Sequence, residues 1–146
     1  MRLRSARAAD LDGILALERE CFRSDRLTRV DLANALAHPR ARLTVLAARS
    51  GIAAYLLLRL PATRGIARIE SLGVARAARG RGLAQALVAA AELHARRAGA
   101  SCIRLEVRRS NRAARKLYAK RGYRLLRELP RYYADGAHGL RLERTL

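Results

Sequence analysis

The chain has 146 residues, about half of them apolar, and a formal net charge of +19 from 31 basic and 12 acidic side chains. That length suits one domain with a core of its own, spanning residues 1–146, and the apolar content excludes a disordered chain. No apolar run approaches the ~18 residues of a membrane span; the best candidate, Ile52 to Leu58, is of strand length.

The elements follow in order. Arg2 to Ala6 alternates briefly and predicts a first strand, after which Asp10 stands as the N-cap of a helix carrying Leu11, Ile14, Leu15, Leu17 and Cys21 near helical spacing. Ser24 to Thr28 reads as a loop, and Val30 to Ala37 as a short helix stopped by Pro39. Leu43 to Ala48 and Ile52 to Leu60 are strands joined across Ser50-Gly51, a hairpin signal, and Ile66 to Val74 is the next strand. Leu83 to Ala98 predicts a helix closed by Gly99, and Cys102 to Val107 a strand. Asn111 to Arg121 predicts a helix closed by Gly122; Tyr123 to Glu128 and Gly139 to Thr145 are the last strands.

The charge is carried by 29 arginines and only two lysines, spread along the whole chain. A high Arg, Ala and Leu content with little Lys fits a compositional bias, so the basicity alone identifies no partner. A single-strand binder would interleave its arginines with stacking aromatics. The chain has six aromatic residues in all, so nucleic acid is expected only as a loose electrostatic partner. Cys21 and Cys102 stand far apart outside any ligand spacing, and the three histidines are scattered singly. They predict two buried, reduced thiols and no metal site. The N-terminus lacks a continuous apolar segment, so no signal peptide is read and a cytoplasmic protein is expected.

The stretch V-A-R-A-A-R-G-R-G-L-A-Q-A-L, from Val74 to Leu87, joins a strand to a long helix through two glycines. Such a turn presents backbone N–H groups backed by the helix dipole, a natural anion site. A P-loop would need Lys and Ser or Thr after its last glycine, and here Leu83-Ala84 follow. A dinucleotide fingerprint belongs in a first βα unit and needs a third glycine where Gln85 stands. The remaining pattern is R/Q-x-x-G-x-G/A, met by Arg79, Gly82 and Ala84.

With that pattern, the run L-E-V-R-R-S-N-R-A-A-R-K-L-Y-A-K-R-G-Y (Leu105 to Tyr123) and R-Y-Y-A-D-G (Arg131 to Gly136), the chain resembles the GNAT superfamily of N-acetyltransferases over essentially its whole length. It is most similar to the RimI type, which acetylates the N-terminal alanine of a ribosomal protein. The resemblance implies an α/β (α+β) fold: a mixed, mostly antiparallel sheet of about seven strands with a splayed centre and some four helices. It implies acetyl-CoA as cosubstrate. The pyrophosphate would lie on the N–H groups of Gly80, Arg81, Gly82, Leu83, Ala84 and Gln85, with Arg79 and Arg81 adding charge. Leu72, Gly73 and Val74 would pair with the pantetheine arm, a β-augmentation that requires no particular side chain. Asn111 would contact the cofactor, and as a residue type it also suits a helix N-cap.

Acetyl transfer to an amine needs one group to take a proton from the ammonium and another to protonate the departing thiolate. By the resemblance these are Glu106 as base and Tyr118 as acid, with Glu70 a second candidate base. Each residue also has a plainer reading: Glu106 as a strand carboxylate paired with an arginine, Tyr118 as core packing against Leu117 and Leu125. The acceptor would enter between the loop around Asp25 and the loop around Tyr132, Tyr133 and Asp135. There Asp25 and Asp135 would hold an ammonium and the tyrosines would line the slot. A protein or peptide α-amine, for instance on a ribosomal protein, is the expected acceptor. A small amine, a lysine side chain, or a CoA-binding module without turnover are the alternatives.

Overall fold

Seven strands pair into one open sheet in the order β1-β2-β3-β4-β5-β7-β6 in the computed structural model, which describes all residues, Met1–Leu146. The strands are β1 (Arg2–Ser5), β2 (Ala41–Ala48), β3 (Gly51–Arg59), β4 (Ile66–Val74), β5 (Cys102–Arg108), β6 (Arg124–Leu129) and β7 (Gly139–Thr145). The helices are α1 (Leu11–Cys21), α2 (Arg29–Ala37), α3 (Leu83–Arg97) and α4 (Arg112–Lys120), with short 3-10 turns at Ala8–Asp10 and Arg76–Ala78. All neighbouring strands are antiparallel except β4 and β5. The expected class and element order are those observed, with boundaries moved by a residue or two.

The sheet buries both faces. The apolar run of β3 is continuous because the strand contributes to both cores, with Ala54, Leu56 and Leu58 on one side and Tyr55 and Leu57 on the other. An 18-residue core lies on the side that receives Leu87, Val88 and Ala91 of α3 and Tyr118 of α4. An 11-residue core on the opposite face takes in Leu11, Ile14 and Leu15 of α1 and Leu32 and Ala35 of α2. Gly99 and Gly122 close α3 and α4 with φ of +80° and +88°, which a Cβ would disfavour.

Asp10 differs from its expected role as a side-chain cap. The 3-10 turn runs straight into α1, so Asp10 is already helical (φ −86°, ψ −12°) and makes no cap bond to that helix. Its carboxylate instead takes two bonds from Arg4, at 2.7 and 3.0 Å, and one from the Arg7 N–H at 2.8 Å. A bidentate, charge-assisted pair outweighs one neutral cap bond.

The centre of the sheet positions the site. β4 and β5 pair only from Ile66↔Cys102 to Ile69↔Leu105. Beyond that point β4 stays on β3 as far as Val74, and β5 stays on β7 as far as Arg108. The two strands therefore part, as the splayed centre requires. At the parting point β4 carries a bulge in which Ser71 and Ile69 face successive residues of β3, leaving Glu70 as the extra residue. The bulge shifts the alternation by one, so Leu72 and Val74 turn to the same core as Ile69.

Candidate active site

A slot of about 780 Å³ runs through the splay. It is lined from one face of the sheet by Glu106 and Arg108, and from the other by Leu105, Val107 and Tyr118. On its β4 wall stand Glu70, Ser71 and Leu72, and Asn111 lies at its α4 end. Gly73 is glycine for a packing reason, since a Cβ there would lie 2.6 Å from the Tyr55 ring.

The turn before α3 fits a phosphate. Gly80 and Gly82 have φ of +80° and +76°, and an added Cβ at either would meet no protein atom within 4 Å. The backbone N–H groups from Gly80 to Gln85 find no acceptor in the chain, the first helical bond being Ala86 N–H to the Gly82 carbonyl at 3.1 Å. Six unspent donors at the N-terminus of a 15-residue helix, with open space before them, suit a pyrophosphate. Arg81 is exposed beside them. Arg79 departs from the expected arrangement: its Nε donates to the Val74 carbonyl at 3.2 Å, so its head lies against the end of β4.

Glu106 sits on β5 with its side chain 13% exposed, and each of its oxygens has an arginine: Arg68 on Oε1, and Arg141 on Oε2 with Nε at 3.0 Å. Arg141 is its cross-strand partner in β7. The plain pairing and the position in the slot thus hold together. Tyr118 is buried in α4, in a core against which Leu117 packs, and meets the Tyr123 ring edge-on at 5.3 Å, whereas Leu125 is exposed and outside that core. Burial pushes the Tyr118 phenol well above its ordinary range, so it keeps its proton at neutral pH. Asn111 caps α4, its Oδ1 accepting the Ala114 N–H at 3.1 Å. Glu70 is tied to Arg59 at 2.9 Å on the neighbouring strand.

The two acceptor loops are joined by Arg108, a residue that the sequence reading did not single out. Its Nη1 donates to both oxygens of Asp135, at 3.1 and 2.9 Å, its Nη2 to the Ser24 hydroxyl at 2.9 Å, and its guanidinium lies 4.4 Å over the Tyr133 ring. A second tie runs from the Ala134 N–H to Asp25 Oδ2 at 3.1 Å. Asp25 also takes the Ser24 hydroxyl, and these bonds hold its carboxyl below the usual carboxylate range. Asp135 thus spends both oxygens on loop contacts, whereas Asp25 uses Oδ2 alone and stays exposed at the slot near Arg108. Tyr132 and Tyr133 pack edge to face and line the slot, and burial pushes the Tyr133 phenol up to about 12. Cys21, expected to be buried, is only partly so, standing in the slot wall with its thiol on the Val74 carbonyl at 3.4 Å; Cys102 is buried. No three His, Cys, Asp or Glu side chains converge as a metal site would need, and no helix is long and apolar enough to cross a membrane.

A sheet splayed at its only parallel pair, with a glycine turn of free amides beside it, defines the acetyltransferase fold. Solved structures with this architecture include Ard1 from Thermoplasma volcanium (TM-score 0.89, 21% identity, 99% of this chain and 97% of that one). Arabidopsis thaliana NAA60 in complex with acetyl-CoA matches at a TM-score of 0.90 with 17% identity, over 99% and 98% of the chains. The ribosomal-protein-S18-alanine N-acetyltransferase from Escherichia coli matches at 0.84 with 21% identity, over 99% and 92%. At the level of sequence, the profile of the acetyltransferase (GNAT) family matches residues 11–123, and the chain belongs to that family. An uncharacterized N-acetyltransferase of Methanocaldococcus jannaschii, MJ1530, is 34% identical over 137 residues, 93% of this chain and 86% of its own.

Proposed function

We propose that this acetyltransferase moves the acetyl group of acetyl-CoA to the N-terminal α-amine of a protein or peptide, with Glu106 as base and Tyr118 as acid. The observation that carries the reading is the slot itself. Glu106 reaches it from one face of the sheet and Tyr118 from the other, with the gap between β4 and β5 separating them. A thioester lying in that gap would have a proton acceptor on the amine side and a proton donor on the sulfur side. The free amides of Gly80 to Gln85, with Arg81, would hold the pyrophosphate, and the released edge of Leu72 to Val74 would pair with the pantetheine amides. Acetyl-CoA supplies the activated acetyl group. Glu106, bridged by two arginines and only slightly exposed, accepts through a water the proton the ammonium must lose. Tyr118, protonated at neutral pH, supplies the proton that the departing sulfur needs.

A peptide acceptor is supported by the open slot between two ordered loops with Tyr132 and Tyr133 along it. It is also supported by fold relatives whose names specify ribosomal-protein alanine or whose structures hold a peptide. The test is a screen of acetyl-CoA consumption against N-terminal peptides, lysine peptides and polyamines. The proposal expects peptides with a free α-amine to be acetylated best and N-acetylated peptides not at all. Preferred turnover of polyamines would assign a small-amine enzyme, and no turnover with any amine would leave a CoA-binding module.

A further inference from the structure

Four acidic side chains are buried: Asp10, Glu18, Glu92 and Glu143. Three have arginine partners, namely Arg4 for Asp10, Arg121 and Arg144 for Glu92, and Arg104 and Arg124 for Glu143. Glu18, 2% exposed, has no basic partner in a chain of 29 arginines. Its Oε1 accepts the hydroxyls of Tyr55 and Ser71, and its Oε2 accepts the Leu27 N–H at 2.8 Å. All three donors are neutral. They satisfy hydrogen bonds and leave the charge uncompensated.

The position makes that charge costly. Glu18 stands in the last turn of α1, at the negative end of the helix dipole, where a carboxylate is least favoured. Burial and the neighbouring Glu18 carboxylate push the Tyr55 phenol far up, so Tyr55 remains a donor to Glu18. Glu18 and Ser71 also line the slot that holds Glu106, Ser71 following the bulged residue of β4 where the strands part. An uncompensated anion on the wall of a slot calls for a cation that arrives with a ligand.

We infer that Glu18, presented with Ser71 on the α1 side of the slot, is the subsite that receives the ammonium group of the acceptor. The inference rests on the reading of this slot as an amine-acetylation site. It gives the slot a way to tell substrate from product, since acetylation turns the cation into a neutral amide and removes the attraction. It also assigns to Glu18 the recognition expected of Asp135, whose charge Arg108 already pairs, and of Asp25, which is exposed and feels the charge of Arg108.

The test uses the full-length protein with CoA bound and two probes, Ala-Ala-Tyr amide and its N-acetylated form, titrated by calorimetry. Wild type should prefer the amine probe. Glu18→Gln keeps the shape and, through its one amide oxygen, the acceptor for Tyr55 and Ser71, giving up the Leu27 N–H bond, and should weaken the amine probe roughly 10- to 100-fold, the scale of one charge-assisted hydrogen bond. The acetylated probe should stay within about twofold, because no charge is involved. Equal loss for both probes is what a packing role would give and overturns the inference, as does loss for neither, or a wild type that does not prefer the amine. If Glu18→Gln fails to fold, Glu18→Asp retains the charge and must retain the preference; losing it refutes the assignment. A wild type that acetylates amines without a Glu18-dependent preference sinks this inference alone, whereas no turnover with any amine sinks the reading beneath it.

Discussion

Replacing Arg108 with Met removes the guanidinium that joins the two acceptor loops and keeps most of the aliphatic stem. The pair with Asp135 is exposed to solvent and screened, so it adds little to the docking of the loops. The bond to Ser24 adds about 1 kcal/mol and the contact over the Tyr133 ring about 0.5–1 kcal/mol. These terms share one group and do not add fully, so the expected loss is at most about 2 kcal/mol, or roughly 30-fold in the docking equilibrium. The strands beneath do not depend on Arg108 for pairing, and the midpoint of thermal unfolding should move little. Amide exchange reads the effect directly. The Ala134 N–H, whose acceptor Asp25 lies on the other loop, should exchange up to about 30-fold faster as the loops part more often. The acceptor KM should rise while acetyl-CoA affinity stays, and Arg108→Lys should not rescue a forked contact to three partners. Unchanged exchange at Ala134 with an unchanged KM would refute the bridging role.

Gly82→Ala places a Cβ in the open space before the turn at φ +76°, so it should cost about 1–2 kcal/mol of stability and reduce the rise in melting temperature that acetyl-CoA produces. A ligand-induced rise equal to that of wild type would exclude the turn as the pyrophosphate site. Glu92→Ala should destabilise by about 3 kcal/mol in denaturant titrations, because it strands Arg121, Arg144 and Tyr123 around an empty buried site. Burial opposes ionisation of Glu92, but the bonds from Arg121, Arg144 and Tyr123 outweigh it and hold the carboxyl below its ordinary value of 4.5. Its contribution is therefore present above that value and lost as the pH falls through the folded one, so Glu92→Gln should flatten the acid limb of the stability curve. An acid limb identical to wild type would contradict the assignment.

Local signals carried most of the fold. Gly99 and Gly122 stop helices because their φ is positive, and β4 keeps its expected bounds because Gly65 and the Arg76–Ala78 turn frame it. The parting of β4 and β5 has no local signature and came only through the family resemblance. The Arg108 bridge was not legible, since its partners lie 84 residues back and 27 ahead and only the closed sheet brings them together. Asp25 was read as a free anion for a related reason, because the Ala134 N–H that engages it is 109 residues away. Glu18 did leave a trace: it continues the Leu11, Ile14, Leu15 stripe of α1 at helical spacing, and a carboxylate on an apolar stripe marks a buried charge.

Acetyl transfer to an amine through groups on the two sides of the splay can be followed by single-turnover acetylation with Tyr118→Phe. The ring and its packing on Tyr123 remain, and only the proton donor to the leaving sulfur is lost. Acetyl-CoA affinity should stay unchanged and turnover fall by roughly 10²–10⁴-fold, the scale of losing a positioned acid or base. Acetylation at the wild-type rate would make Tyr118 a packing residue and contradict the proposed chemistry.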